Sequence, residues 1–110
     1  MASSIDGLKS GHRPVKPSVA LEAHRDLIRQ VVLSHRACNP RVFGSVLSGE
    51  DSEDSDLDLL VDPMPETSLL DIAQIQVELE AQLGISVDIL TPAALPVKFR
   101  KKVLDEARAV

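Results

Sequence analysis

The run Asp56-Leu57-Asp58-Leu59-Leu60-Val61 constrains the fold of this chain more than any other segment. Its first part alternates, so Leu57 and Leu59 are expected to face a core while Asp56 and Asp58 share the opposite face. Its second part is continuously apolar, which suits a central strand rather than a solvated edge. The polar stretch before it, Ser48 to Ser55, reads as a loop, and Pro63 and Pro65 end the strand. A chain of 110 residues can build one hydrophobic core around such a strand, and only Phe43 and Phe99 are aromatic, so that core must be aliphatic.

The remaining elements follow from local signals. Residues 1 to 17 lack apolar periodicity and are expected to form a flexible N-terminal extension, with the folded domain spanning 18 to 110. Ser18 can cap a helix in which Val19, Leu27, Ile28, Val31 and Val32 recur at helical spacing until Asn39-Pro40. Arg41-Val42-Phe43 reads as a brief strand turning at Gly44. Ser68 with Asp71 offers a capping pair for a second helix, stopped by Gly84. Ile85 to Leu90 is rich in branched residues and alternates around Asp88, which predicts a third strand. A last helix should start near Pro96, with Val97, Val103, Leu104 and Ala107 on its core face and Lys98, Arg100, Lys101 and Lys102 toward solvent. The predicted order is α-β-β-α-β-α.

Charge and composition remove several functions. A net charge of −5 gives no general attraction to nucleic acid or to an anionic membrane, and without Trp or Tyr there is little to stack single-stranded bases on. No apolar run approaches the roughly 18 residues that would span a bilayer, and no secretory signal is evident. Cys38 is alone and cannot form an intramolecular disulfide. His12, His24 and His35 have no metal-ligand spacing. A cytoplasmic protein is expected.

Acidic residues carry the chemistry. On a strand, Asp56 and Asp58 would have Cα atoms roughly 7 Å apart on one face, close enough to grip one cation between them. Two carboxylates about 4 Å apart repel by roughly 4 kcal/mol at an effective dielectric of 20, and a divalent cation reverses that sign. Oxygen-only ligands favour Mg²⁺, or Mn²⁺, over zinc. An acidic solvated edge is the plain alternative. An EF-hand is not, because a loop beginning at Asp54 puts Leu59 where Gly is required and Pro65 where the bidentate Glu belongs. Upstream, Gly44 would let the backbone approach a ligand and Ser45 adds a hydroxyl donor, although a Gly-Ser turn by itself is a weak signal.

The spacing gives these residues a context. Gly44-Ser45, ten residues, then Asp56-Leu57-Asp58 resembles the signature of the polymerase-beta-like nucleotidyltransferase superfamily. Phe43-Gly44-Ser45, Gly49, Ser55 to Val61 and Val87-Asp88-Ile89-Leu90 resemble its minimal nucleotidyltransferases, which occur as antitoxins or partners of HEPN-domain toxins. The likeness runs from about residue 18 to the C-terminus. It implies an α+β fold, a small mixed sheet packed with helices. It further implies nucleotide binding by Gly44, Ser45, Asp56 and Asp58, and one or two Mg²⁺ on Asp56, Asp58 and Asp88. Asp88 would complete the metal site or accept the proton of the attacking hydroxyl; alternatively, it is a polar residue on an exposed strand face.

ATP is the implied donor. The implied acceptor is a hydroxyl, specifically a tyrosine of a HEPN toxin arriving on another chain, since so short a domain has little room for an acceptor lobe. Homo- or hetero-oligomers are compatible with this. One departure matters: relatives often read Gly-Ser-Arg-Ala-Arg-Gly where this chain has Val46 and Ser48 in place of the two arginines. A non-catalytic antitoxin acting by occlusion is therefore the main alternative. A small-molecule nucleotidyltransferase is a further one, weakened by the absence of the helical domain such enzymes usually add.

Overall fold

Alternation and apolar continuity are both realised in the central strand, β2, which runs from Leu57 to Pro63 in a computed structural model of the protein that describes residues 15–110. Leu57, Leu59 and Val61 are fully buried in one cluster. Leu60, on the Asp58 face, is equally buried, so β2 is covered on both sides through its middle, Leu59 to Val61.

Around it lie α1 (Pro17–Ala23), α2 (Arg25–Ser34), β1 (Ala37–Phe43), a single helical turn α3 (Ser45–Ser48), α4 (Leu69–Leu83), β3 (Val87–Leu90), α5 (Val97–Glu106) and the two-residue β4 (Arg108–Ala109). The sheet order is β3-β2-β1-β4. β2 runs parallel to β3 and antiparallel to β1, giving the mixed sheet expected. Ile28 and Val32 of α2 and Ile75 and Leu79 of α4 seal the Leu57–Leu59–Val61 face. Burying those side chains contributes roughly 1.5–3 kcal/mol each relative to exposure.

Several boundaries differ from expectation. The first helix is two helices, because His24 leaves helical geometry (φ −133°, ψ 31°) between α1 and α2. Its start is set by Pro17 at the first helical position, where a missing N–H costs nothing, and not by a Ser18 cap. Ser18 instead donates its backbone N–H to Asp51 Oδ2 at 2.9 Å. Residues 1–14 of the expected extension lie outside the described residues, and Pro17 is already buried.

Asn39-Pro40 does not end a helix. α2 stops at Ser34, Arg36 turns the chain at φ 64°, and β1 begins at Ala37. Asn39 and Pro40 sit where the β1–β2 register shifts, the kind of irregularity at which a proline is tolerated within a sheet.

The second helix matches its sequence signals at both ends. Ser68 accepts from the Asp71 N–H while Asp71 Oδ2 accepts from the Ser68 N–H at 3.0 Å, and Gly84 closes the helix in the left-handed region. α5 begins after Pro96 as expected, but no residue in it is fully buried. Val97 is 80% exposed and Phe99 56%, so the core face assigned to this helix is wrong for Val97 and Leu104. Its anchor is Leu95, 3% exposed, together with Arg100, which donates to the carbonyls of Ala93 and Leu95.

Candidate active site

The topology delivers three chain segments to one end of the sheet. β2 and β3 are parallel, so their starts coincide; β1 is antiparallel, so its end meets them. Asp58 is therefore aligned with Asp88 on one side and with Phe43 on the other, in a transverse row on one face. Partnered Cα atoms in adjacent strands are about 5 Å apart, and the two carboxylates emerge side by side. Asp56 lies immediately before β2 rather than within it, and the Leu57 N–H bonded to the Ser86 carbonyl at 2.9 Å holds that point against β3.

Gly44 closes the row. Its φ of 79° and ψ of −147° lie in a region essentially restricted to glycine. A Cβ built there would collide with the Asp58 carboxylate, with Asp58 Cγ 3.2 Å away. The backbone can press against that acid only because the side chain is absent. Ser45 then opens α3, a single turn in which the Leu47 and Ser48 N–H groups donate to the Gly44 carbonyl at 3.0 and 3.4 Å.

The electrostatics record this crowding. Burial, then the negative charges of Asp88 and Asp56, push the Asp58 carboxyl up to about 6. Asp56 and Asp88 themselves are exposed. Among the described residues no three His, Cys, Asp or Glu side chains gather into a closed metal cage. Magnesium does not require one, since it usually takes one or two carboxylates and completes its shell with water and phosphate oxygens. An all-oxygen set, a carboxylate destabilised by like charge and a glycine-lined approach together fit such an ion.

Asp51, within the polar loop expected before β2, has a structural task. It is 9% exposed, caps the Ser18 N–H, and its carboxyl is held below the usual range mainly by that hydrogen bond. It ties the loop before β2 to α1, across 33 positions of sequence, which no local motif signals.

Beyond Gly44, away from Asp58, lies a cavity of about 720 Å³ between the β1–α3 corner and α5. Phe43 and Leu47 form one wall; Phe99 and Val103 form the other.

The sequence profile of the nucleotidyltransferase domain matches residues 40–110, and the chain belongs to that family. Its likeness is to minimal members. A solved protein provisionally described as a minimal nucleotidyltransferase is 42% identical, with a TM-score of 0.76 over 84% of this chain and 95% of that one. The protein adenylyltransferase MntA of Thermococcus cleftensis is 45% identical over 65 residues, 59% of this chain and 66% of that protein. A toxin–antitoxin crystal structure with AMP-PNP, at 16% identity and a TM-score of 0.65, shares the fold over 76% of this chain and 69% of its own. No helix among the described residues is long and apolar enough to cross a membrane.

Proposed function

We propose that this nucleotidyltransferase moves AMP from ATP onto a tyrosine hydroxyl of a partner protein, a HEPN-domain toxin, in the cytoplasm, and thereby acts as an antitoxin. The observation that carries this reading is Asp58, aligned with Asp88 across β2–β3, pushed up in part by the charges of Asp88 and Asp56, and pressed against the side-chain-free backbone of Gly44. The naming of the Thermococcus cleftensis relative as a protein adenylyltransferase supports it, as does the fold shared with a toxin–antitoxin complex. Exposed Asp56 and Asp88 leave the site open to a hydroxyl on another macromolecule.

Asp56 and Asp58 would hold Mg²⁺ with the triphosphate, with Asp88 beside them. Bound there, a divalent cation supplies neutralisation of the charge that develops on the phosphate oxygens. Gly44 and Ser45 orient the outer phosphates through backbone amides and the Ser45 hydroxyl. The acceptor oxygen forms a bond to the α-phosphorus as the bond to the pyrophosphate oxygen breaks, and the hydroxyl proton passes to Asp88.

The test is transfer of α-phosphate label from ATP with Mg²⁺ to a HEPN-domain partner. Labelled partner is expected with the unaltered protein and none with Asp56→Ala. A folded, unaltered protein that leaves the partner unlabelled contradicts the proposal. Toxin neutralisation that survives Asp56→Ala without labelling would replace it with the occlusion reading.

A further inference from the structure

A nucleoside triphosphate brings about four negative charges to the site, and a Mg²⁺ ion balances only part of them. The turn that would receive the outer phosphates contributes no cation, since α3 is Ser45-Val46-Leu47-Ser48. The chain as a whole is acidic, at −5. The positive charge has to come from elsewhere in the fold.

Most basic side chains near the sheet are committed. Arg41 is held by Asp62 at 2.5 Å and by the Asn39 carbonyl. Arg100 is spent on backbone carbonyls, and Lys101 pairs with Asp105 at 2.9 Å. Arg25 and Arg29 pair with Glu22 and Asp26 on the helical side. As with Arg108 of β4, no ion pair among the described residues engages Lys102.

Its position is specific. Phe99, Lys102, Val103 and Glu106 recur at i, i+3, i+4 and i+7 on α5, one helix face, and all four line the cavity whose opposite wall contains Gly44 and Ser48. The same cavity is lined by the acids Asp105 and Glu106 and the bases Lys102 and Arg108, and Asp105 also pairs with Lys101 at the surface. Lys102 and Arg108 are thus the cations that face this cavity, which adjoins the acidic row through Gly44.

We propose that Lys102, reaching across this cavity from α5, binds the outer phosphates of the nucleoside triphosphate and supplies the charge that α3 lacks. The assignment rests on the nucleotidyl-transfer reading above. It also gives α5 a role that its poorly buried packing does not, because the helix carries a ligand-facing stripe instead of a core-facing one.

Binding of ATP with Mg²⁺, and of inorganic tripolyphosphate with Mg²⁺, should be titrated calorimetrically, alongside KM and kcat for transfer. Lys102→Ala should weaken both ligands by about tenfold and raise KM with little change in kcat, as expected for loss of one charge-assisted contact. Lys102→Arg should restore most of the affinity, and Lys98→Ala, which alters an exposed residue not lining this cavity, should leave it unchanged. Equal affinity in Lys102→Ala and the unaltered protein, or an equal loss in Lys98→Ala, overturns the assignment while leaving the parent reading intact. No magnesium-dependent ATP binding by the unaltered protein overturns both.

Discussion

Asp58→Asn should abolish nucleotidyl transfer, by on the order of 10³-fold or more, and yet make the metal-free protein more stable above pH 6. The first effect follows from the role proposed for Asp58 as a charged ligand of the divalent cation. The second follows from linkage. Asp58 is neutral in both folded and unfolded chains well below its ordinary range; its carboxyl is pushed up to about 6 in the fold, so ionisation there is disfavoured by burial and by Asp88 and Asp56. The folded state therefore binds the proton more tightly than the unfolded state. Stability is lost as pH rises from about 4 through about 6, and the loss persists above that.

Holding that carboxyl at about 6 corresponds to roughly 3 kcal/mol at most, and solvent screening at this partly open site reduces it to about 1–2 kcal/mol. Asparagine keeps the shape and removes the charge. Thermal unfolding at pH 8 without divalent cations should show a melting temperature higher by about 5 °C or more, and the difference should vanish near pH 4. Equal melting temperatures at pH 8 would mean that the like charges do not interact as the geometry requires.

Gly44→Ala should also reduce activity strongly, with the opposite sign on stability. A non-glycine residue at φ 79° and ψ −147° costs about 1–3 kcal/mol before any contact is counted. The added methyl group also meets the Asp58 carboxylate, so either the end of β1 or the acid must move. Displacing a metal-binding carboxylate by about 1 Å can reduce turnover roughly a hundredfold. The expected result is a lower melting temperature together with a loss of transfer of at least about that size. In the double variant Gly44→Ala/Asp58→Ala the collision is relieved, so part of the stability should return while activity does not. A Gly44→Ala protein with unaltered transfer would show that the close approach has no functional part.

These two residues also show how far the sequence could be read. Asp58 and Gly44 were legible because their chemistry is local: a strand alternates by geometry, and a glycine at a strand end marks backbone freedom. Helix α4 was legible for the same reason, having the Ser68–Asp71 capping box at one end and Gly84 at the other. The break at His24 was not, since Val19, Leu27 and Ile28 continue a helical rhythm that hides the kink.

Pro40 misled because a proline ends a helix and interrupts a sheet with the same letter, and tertiary pairing with β2 decided in favour of the sheet. Asp51 could not be separated from its acidic neighbours, because its partner is the Ser18 amide on a distant helix. For α5, the expected inward face of Val97, Val103, Leu104 and Ala107 shares only Val103 and, just past the helix end, Ala107 with the residues that line the cavity, because which stripe of a helix turns inward depends on what lies opposite. Here Phe99 and Val103 look across open space at Phe43 and Leu47.

The most direct examination of the site is a crystal structure of the protein with a non-hydrolysable ATP analogue and Mn²⁺, using the anomalous signal of manganese. The expected result is a peak about 2.0–2.3 Å from carboxylate oxygens of both Asp56 and Asp58, with the triphosphate against Gly44 and Ser45. A nucleotide and metal bound elsewhere, with those carboxylates turned apart and uncoordinated, would contradict the account.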